Sequence, residues 1–213
     1  MNGAILERVK TTRFLGVILN ENLTWLSHME ILHSKLSKNL GIIRKLSYSL
    51  PVYTLKTLYN VLIMPHIDYC NVVWAVSPHK WISRIHVIQK KAVRLIAGYK
   101  RGVHSPPIFR QLDILTIFDV NKLQTACFVF QATKNTLPSI FDNYYQFCCL
   151  FHTHVSRHSQ NIYTIYCRTR TRQNTIRYRG AIIWNLLDET VKNISNLVQF
   201  KSVVRRNMML NYD

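Results

Sequence analysis

Metal-dependent chemistry would have to draw on ten acidic residues in this 213-residue chain, which carries 28 lysines and arginines. Phosphoryl transfer by paired divalent ions needs carboxylates clustered tightly enough to hold two ions about 3.5–4 Å apart. Only Asp188 and Glu189 are neighbours; Glu7, Glu21, Glu30, Asp68, Asp113, Asp119, Asp142 and Asp213 stand singly, and no Phe-x-Asp-Asp or Tyr-x-Asp-Asp occurs. The Asp188-Glu189 pair reads as a solvated turn, so no polymerase-type metal site is expected in the chain and no cofactor is assigned to it. Cys148, Cys149, His152, His154 and His158 offer soft and borderline ligands that zinc accepts. Adjacent cysteines chelate one ion poorly, however, and no Cys-x-x-Cys dyad accompanies them, so ordinary loop residues are the better expectation. Nucleophile-elbow, P-loop and dinucleotide fingerprints are absent.

The remaining chemistry is electrostatic. A formal net charge of +18 points to a polyanion, nucleic acid before an anionic membrane, although a merely soluble basic surface would leave the same composition. Basic residues beside aromatics suit phosphate contact combined with base stacking. The best interleaved stretch runs from Tyr163 to Arg179, where Tyr163, Tyr166 and Tyr178 alternate with Arg168, Arg170, Arg172 and Arg177. Leu58–Val76 lacks Lys, Arg and Glu, but Asn60, Pro65, His66, Asp68 and Asn71 are costly in hydrocarbon. Two buried helices broken at Pro65 explain it better than a membrane span. The odd cysteine count and the early Glu7 and Arg8 imply reduced thiols and an intracellular protein, nuclear or cytoplasmic.

Helices must position these groups. Trp25, Met29, Leu32, Leu36, Leu40 and Ile43 recur at steps of three and four, which predicts a long amphipathic helix over about 24–48 capped by Thr24. Lys35, Lys38 and Lys45 fall on a flanking face of it. Before it, Ile5–Val9 and Arg13–Leu19 read as two strands joined by Lys10-Thr11-Thr12. Pro51 opens a second helix with Leu55, Leu58, Tyr59 and Leu62 inward, and Pro65 a third through Trp74. Ser77-Pro78 precedes a fourth, ended by Gly98, whose inward face is Trp81, Ile85, Ile88, Ala92, Leu95 and Ile96. Lys90, Lys91 and Arg94 lie on its other faces.

Thr116 and Asp119 mark the start of a fifth helix with Val120, Leu123, Cys127 and Phe130 inward. Ser139–Phe147 reads as a short helix, and 148–180 as loop with short strands such as Asn161–Cys167. Helical pattern returns at Ala181–Leu187 and from about Ser195 to Leu210, with Leu197, Phe200, Val204 and Met208 as its stripe. The fold class is mainly α: a helical bundle preceded by a short β-hairpin, with an Arg-rich irregular segment before the C-terminal helices.

Several phrases carry a family likeness. Phe14-Leu15-Gly16-Val17 is followed by Leu23-Thr24-Trp25 and His28. Residues 58–74 read L-Y-N-V-L-I-M-P-H-I-D-Y-C-N-V-V-W, residues 88–96 I-Q-K-K-A-V-R-L-I, and R-Y-R-G at 177–180 precedes I-W-N-L-L at 183–187 and Phe200-Lys201. In order and spacing these resemble reverse transcriptases of LINE-type, jockey-like non-long-terminal-repeat retrotransposons, from the end of the palm onward. The resemblance implies a palm and primer-grip remnant over 1–22, a thumb-like bundle over 23–98 and a region beyond the thumb over 99–213. It assigns Phe14, Leu15 and Gly16 to the hairpin that holds a primer end, with RNA and DNA of a template–primer duplex as partners and no membrane. It also places the fingers, the palm with its catalytic aspartates and Mg²⁺, and any endonuclease before residue 1. Leu187-Asp188 departs from the family's Leu-Pro, and an aromatic is missing near Arg157.

On these grounds the nucleic-acid-binding candidates are Phe14, Leu15, Gly16, Lys35, Lys38, Lys45, Lys90, Lys91, Arg94, Arg168, Arg170 and Arg172, with no catalytic residue among them. The leading reading is a reverse-transcriptase fragment from a truncated or decayed element, begun at an internal methionine. A stand-alone basic helical nucleic-acid-binding protein, a decayed product, and a helical interaction module with incidental charge fit the same residues.

Overall fold

The computed structural model describes residues 8–100, 102–150 and 160–212, and the chain divides into two compact units, 1–108 and 109–213. It is mainly helical, with one antiparallel hairpin near the N-terminus.

The hairpin departs from expectation. Its strands are β1 (Thr11–Phe14) and β2 (Val17–Asn20), with Phe14 opposite Val17 and Thr11 opposite Asn20. The run expected as one strand is therefore folded in half at Leu15-Gly16. Both turn residues have positive φ, 45° and 82°, as a two-residue type I′ loop requires. Glycine adopts that conformation freely; leucine does so at a cost. Of the upstream strand expected over Ile5–Val9, residues 5–7 lie outside the described set, and Arg8 and Val9 are in no strand.

Helix α1 (Leu26–Leu46) buries the predicted stripe: Met29, Leu36 and Ile43 are fully enclosed, and Trp25, Leu32 and Leu40 nearly so. Its start differs. Trp25, with φ 62°, occupies the cap position without a side-chain cap, while the Thr24 hydroxyl accepts from Asn20 Nδ2 and the Thr24 N–H donates to Asn20 Oδ1. Asn20 thus ties the strand end to the helix entry. α2 (Val52–Leu62) follows Pro51, and Pro65 opens α3 (Met64–Asp68). The predicted third helix breaks again at Tyr69, which is extended, and Cys70, at φ 50°, so α4 (Asn71–Trp74) is a separate turn. No helix among the described residues is long and apolar enough to cross a membrane.

The longest partner of α1 is α5 (His79–Ile96). Its buried face is Ile82, Ile85, Ile88, Gln89, Ala92, Val93 and Ile96, rotated from the face expected. Gln89 sits inside because its Nε2 donates to the buried Tyr59 hydroxyl at 2.9 Å. Trp81 lies at the edge with the Arg84 guanidinium 4.5 Å over its ring, and Leu95 is half-buried. Gly98, at φ 73°, ends the helix: Tyr99 N–H donates to Arg94 O and Gly98 N–H to Leu95 O, the paired bonds of a Schellman motif. α6 (Pro106–Gln111) follows.

In residues 109–213 the central element is α7 (Ile117–Thr133), buried on more than one face and packed against α9 (Ile176–Asn185) and α11 (Leu197–Leu210). Thr116 caps α7 as predicted, accepting from Asp119 N–H, and Asp119 accepts in turn from the Thr116 and Tyr212 hydroxyls at 2.6 and 2.5 Å. Burial and that carboxylate hold the Tyr212 hydroxyl well above an ordinary phenol in pKa. Phe200 of α11 stacks on Phe130 and Trp184, and Val204 and Met209 complete its buried face.

The middle of this unit departs most from the sequence pattern. Ser139–Phe141 makes only one 3₁₀ turn instead of a helix to 147. Asn161–Cys167 contributes a single bridge, Ile162 to Phe147, instead of a strand. Helix is present where loop was expected: α8 (Arg170–Gln173), and α9 beginning at Ile176, five residues before the expected Ala181. Thr175 supplies the missed start, accepting from Tyr178 N–H. α10 (Glu189–Lys192) follows Asp188, and both acids are exposed there.

Candidate nucleic-acid interface

Within residues 1–108, two concavities gather basic side chains. The first, about 440 Å³, lies between the hairpin, α1 and α3, and is lined by Arg13, Gly16, His28, Lys35, His66 and Tyr69 among others. The hairpin reaches it because the Tyr69 hydroxyl donates to the Leu15 carbonyl, pinning the strained turn. The Tyr69 ring stands in ordinary van der Waals contact with the place a Gly16 side chain would occupy, so glycine is required here by its φ, not by a crowded backbone. Phe14 and Leu15 project from the turn with 61% and 72% of their surface exposed. Burial, and then the Lys35 charge, hold the His28 pKa below its usual value, and its ring lies 5.8 Å from that of Trp74.

The second concavity, about 80 Å³, is formed by Arg44 of α1, Lys91, Arg94 and Leu95 of α5, and Tyr99. Arg94 Nε donates to Val103 O at 2.9 Å, which fixes its guanidinium at the rim. Arg44 and Lys45 occupy the last turn of α1, where cations also meet the negative end of the helix dipole. Lys38 and Lys45 are exposed on α1, and Lys90 is half-buried beside Gln89.

Within residues 109–213 the basic residues meet aromatics. Tyr144, Tyr145, Tyr163 and Tyr178 line a pocket of about 200 Å³ together with Arg172 and Arg177. Three ties assemble it. The Phe147–Ile162 bridge joins the segment carrying Tyr144 and Tyr145 to that carrying Tyr163. Asn185 of α9 pairs with both backbone groups of Ile162, at 2.8 and 2.9 Å. Gln173 Nε2 donates to Cys167 O at 2.9 Å. Gly180 leaves room for Tyr145, since a methyl there would meet Val129 at 2.8 Å and the Tyr145 hydroxyl more closely still.

The twelve sequence candidates are therefore only partly gathered. Gly16 joins Lys35, Lys91 joins Arg94, and Arg172 joins the tyrosines. Lys38, Lys45, Lys90, Arg168 and Arg170 lie outside these concavities, and Tyr166 is 85% exposed away from the pocket. Arg13, Arg44, Tyr144, Tyr145 and Arg177 belong to the concavities but were not among the candidates. The Tyr144-Tyr145 doublet was the available signal. Of the zinc candidates, His152, His154 and His158 lie outside the described residues, among which no group of three or more His, Cys, Asp or Glu could hold a metal.

Over 115 residues the chain is 30% identical to a probable RNA-directed DNA polymerase from transposon X-element of Drosophila melanogaster. The match supports a reverse-transcriptase-related, retrotransposon origin. It covers 52% of this chain but only 13% of that protein, so the chain spans a small part of its relative. No family model matches the chain, and no solved structure does.

Proposed function

We propose that the chain is a non-catalytic portion of a LINE-type reverse transcriptase that grips the backbone of a template–primer duplex, residues 23–98 acting as a thumb and Phe14-Leu15-Gly16 as the primer-end hairpin. The observation that carries this reading is the groove in which the hairpin turn and Lys35 of α1 face one another. A turn presenting exposed apolar residues beside Arg13 and Lys35 suits a sugar–phosphate chain better than a small apolar ligand. Similarity to a transposon polymerase supports the same reading. The scattered acids agree with a division of labour in which carboxylates elsewhere hold the Mg²⁺.

The test is binding of the purified chain to an RNA–DNA hybrid across a salt series. A grip on six to ten phosphates predicts a loss of about 10³–10⁵ in affinity between 50 and 200 mM salt. Salt-insensitive binding, or none, would overturn it. So would nucleotide addition by the isolated chain.

A further inference from the structure

We infer that the tyrosine–arginine pocket of residues 109–213 takes one unpaired nucleotide of a single strand, stacking its base and holding its phosphate. This goes beyond the duplex grip proposed for residues 1–108 and shares with it only the polyanionic partner.

The walls are aromatic and set at fixed angles. The Tyr144 and Tyr145 rings meet edge to face, 5.2 Å between centroids, and the Tyr145 hydroxyl donates to Ile176 O at 2.8 Å. Burial drives the Tyr145 pKa up, so its wall carries no charge at any physiological pH. Tyr163 forms the open lip, with 47% of its surface exposed. Arg177 lies 5.5 Å over the Tyr144 ring and Arg172 stands at the rim. No acidic side chain is among the described lining residues.

Size and chemistry select the occupant. At about 200 Å³ the pocket is smaller than the ~300–1,000 Å³ sites that enclose drug-sized ligands, which leaves space for one planar ring system. The exposed Tyr163 ring at the lip can stack any base face, and the guanidiniums of Arg172 and Arg177 supply phosphate contacts beside it. A duplex cannot enter, because its bases are already stacked on one another; an unpaired base enters without that loss.

The experiment uses the full chain and pyrimidine decanucleotides with a central 2-aminopurine, one RNA and one DNA, beside a blunt RNA–DNA duplex. Wild type should quench the 2-aminopurine fluorescence by stacking. Tyr163→Ala should abolish the quench and raise the single-strand Kd about five- to a hundred-fold, the loss of one base–aromatic stack. Tyr163→Phe keeps the ring and should keep both quench and affinity. Duplex affinity should be unchanged by either variant. A response in only the RNA or only the DNA arm supports the pocket and names its strand. Absence of quench in both arms, or an equal loss of single-strand and duplex binding in Tyr163→Ala, overturns the proposal. A quench that persists in a protein unable to bind duplex would overturn the duplex grip and leave the pocket standing.

Discussion

Residues 1–108 and residues 109–213 deploy their basic residues in different surroundings. In the first unit, lysines and arginines lie along the flanks of two long helices whose other faces are filled by Met29, Leu36, Ile43, Ile85 and Ala92, and the concavities beside them, about 440 and 80 Å³, carry one tyrosine each, Tyr69 and Tyr99. In the second, Arg172 and Arg177 stand beside four tyrosines in one small pocket. Dispersed cations follow a regular line of phosphates and are indifferent to base identity and stacking. Cations clustered on aromatics need a ring to be presented to them. The same surplus of charge thus supports two kinds of contact, and the difference comes from what the helices leave beside each cation.

The largest expected effect separates the two directly. Replacing Lys35, Lys38, Lys45 and Lys91 together by Gln should flatten the salt dependence of duplex binding by about 0.9 in log–log slope for each lysine that meets a phosphate. Several such contacts amount to orders of magnitude in affinity. All four side chains are exposed, so the melting temperature should hardly move. If the 2-aminopurine quench falls in step with duplex affinity, the contrast between the units is wrong.

Next in size is Gly180→Ala. The added methyl would press on Val129 and on the Tyr145 hydroxyl, which is already engaged with Ile176 O. Overpacking of this kind costs about 1–3 kcal/mol. Chemical denaturation should show that loss, the quench should weaken as Tyr145 shifts, and duplex binding should survive in the folded fraction. Unchanged stability would mean that α9 can slide away from Tyr145, and the pocket would not be rigid.

These two changes also show what could be read from the sequence. The stripe of α1 was legible because one buried face imposes a helical period over six turns, and all six stripe residues are buried. The buried face of α5 lies a fraction of a turn from the one hydropathy predicts, because hydropathy ranks Trp81 and Leu95 above Gln89. Only the folded chain shows that Tyr59 satisfies the Gln89 amide and that Arg84 covers Trp81. Of the pocket, Tyr163, Tyr178 and Arg172 were legible as interleaved types. The Tyr144-Tyr145 doublet is visible as a type, but its place in the pocket is not, since a single bridge and the Asn185 clamp bring it there, and neither leaves a periodic trace.

The hairpin turn offers a smaller effect with an informative sign. Strand formers flank Gly16 on both sides, so the sequence predicts strand straight through it. Leu15 holds a positive φ that suits Asn and disfavours leucine, and with 72% of its surface exposed it gains little from burial. Leu15→Asn should therefore stabilise the protein by about 1 kcal/mol, the relief of a left-handed leucine, while the Tyr69 bond to the residue-15 carbonyl is kept. Weaker duplex binding alongside that gain would mean that leucine is held there for contact with nucleic acid. A loss of stability would show that the exposed side chain is packed after all.

The smallest effect concerns pH and again divides the units, because His28 belongs to the groove of the first. Burial and Lys35 lower its pKa in the folded protein from the ordinary 6.5. The unfolded chain therefore takes up this proton at a higher pH than the folded one. Stability from the neutral ring is complete above about pH 6.5, declines as pH falls below it, and levels off once the folded pKa has been passed. His28→Gln should remove this component, so the gap between wild-type and variant melting temperatures should change between pH 7 and 5 and be constant above 7. A phosphate bound in the groove would oppose the Lys35 term and raise the His28 pKa, so duplex binding should tighten on acidification in wild type and not in His28→Gln. Parallel curves for the two proteins would remove His28 from the interface and leave the groove to Lys35 and Arg13.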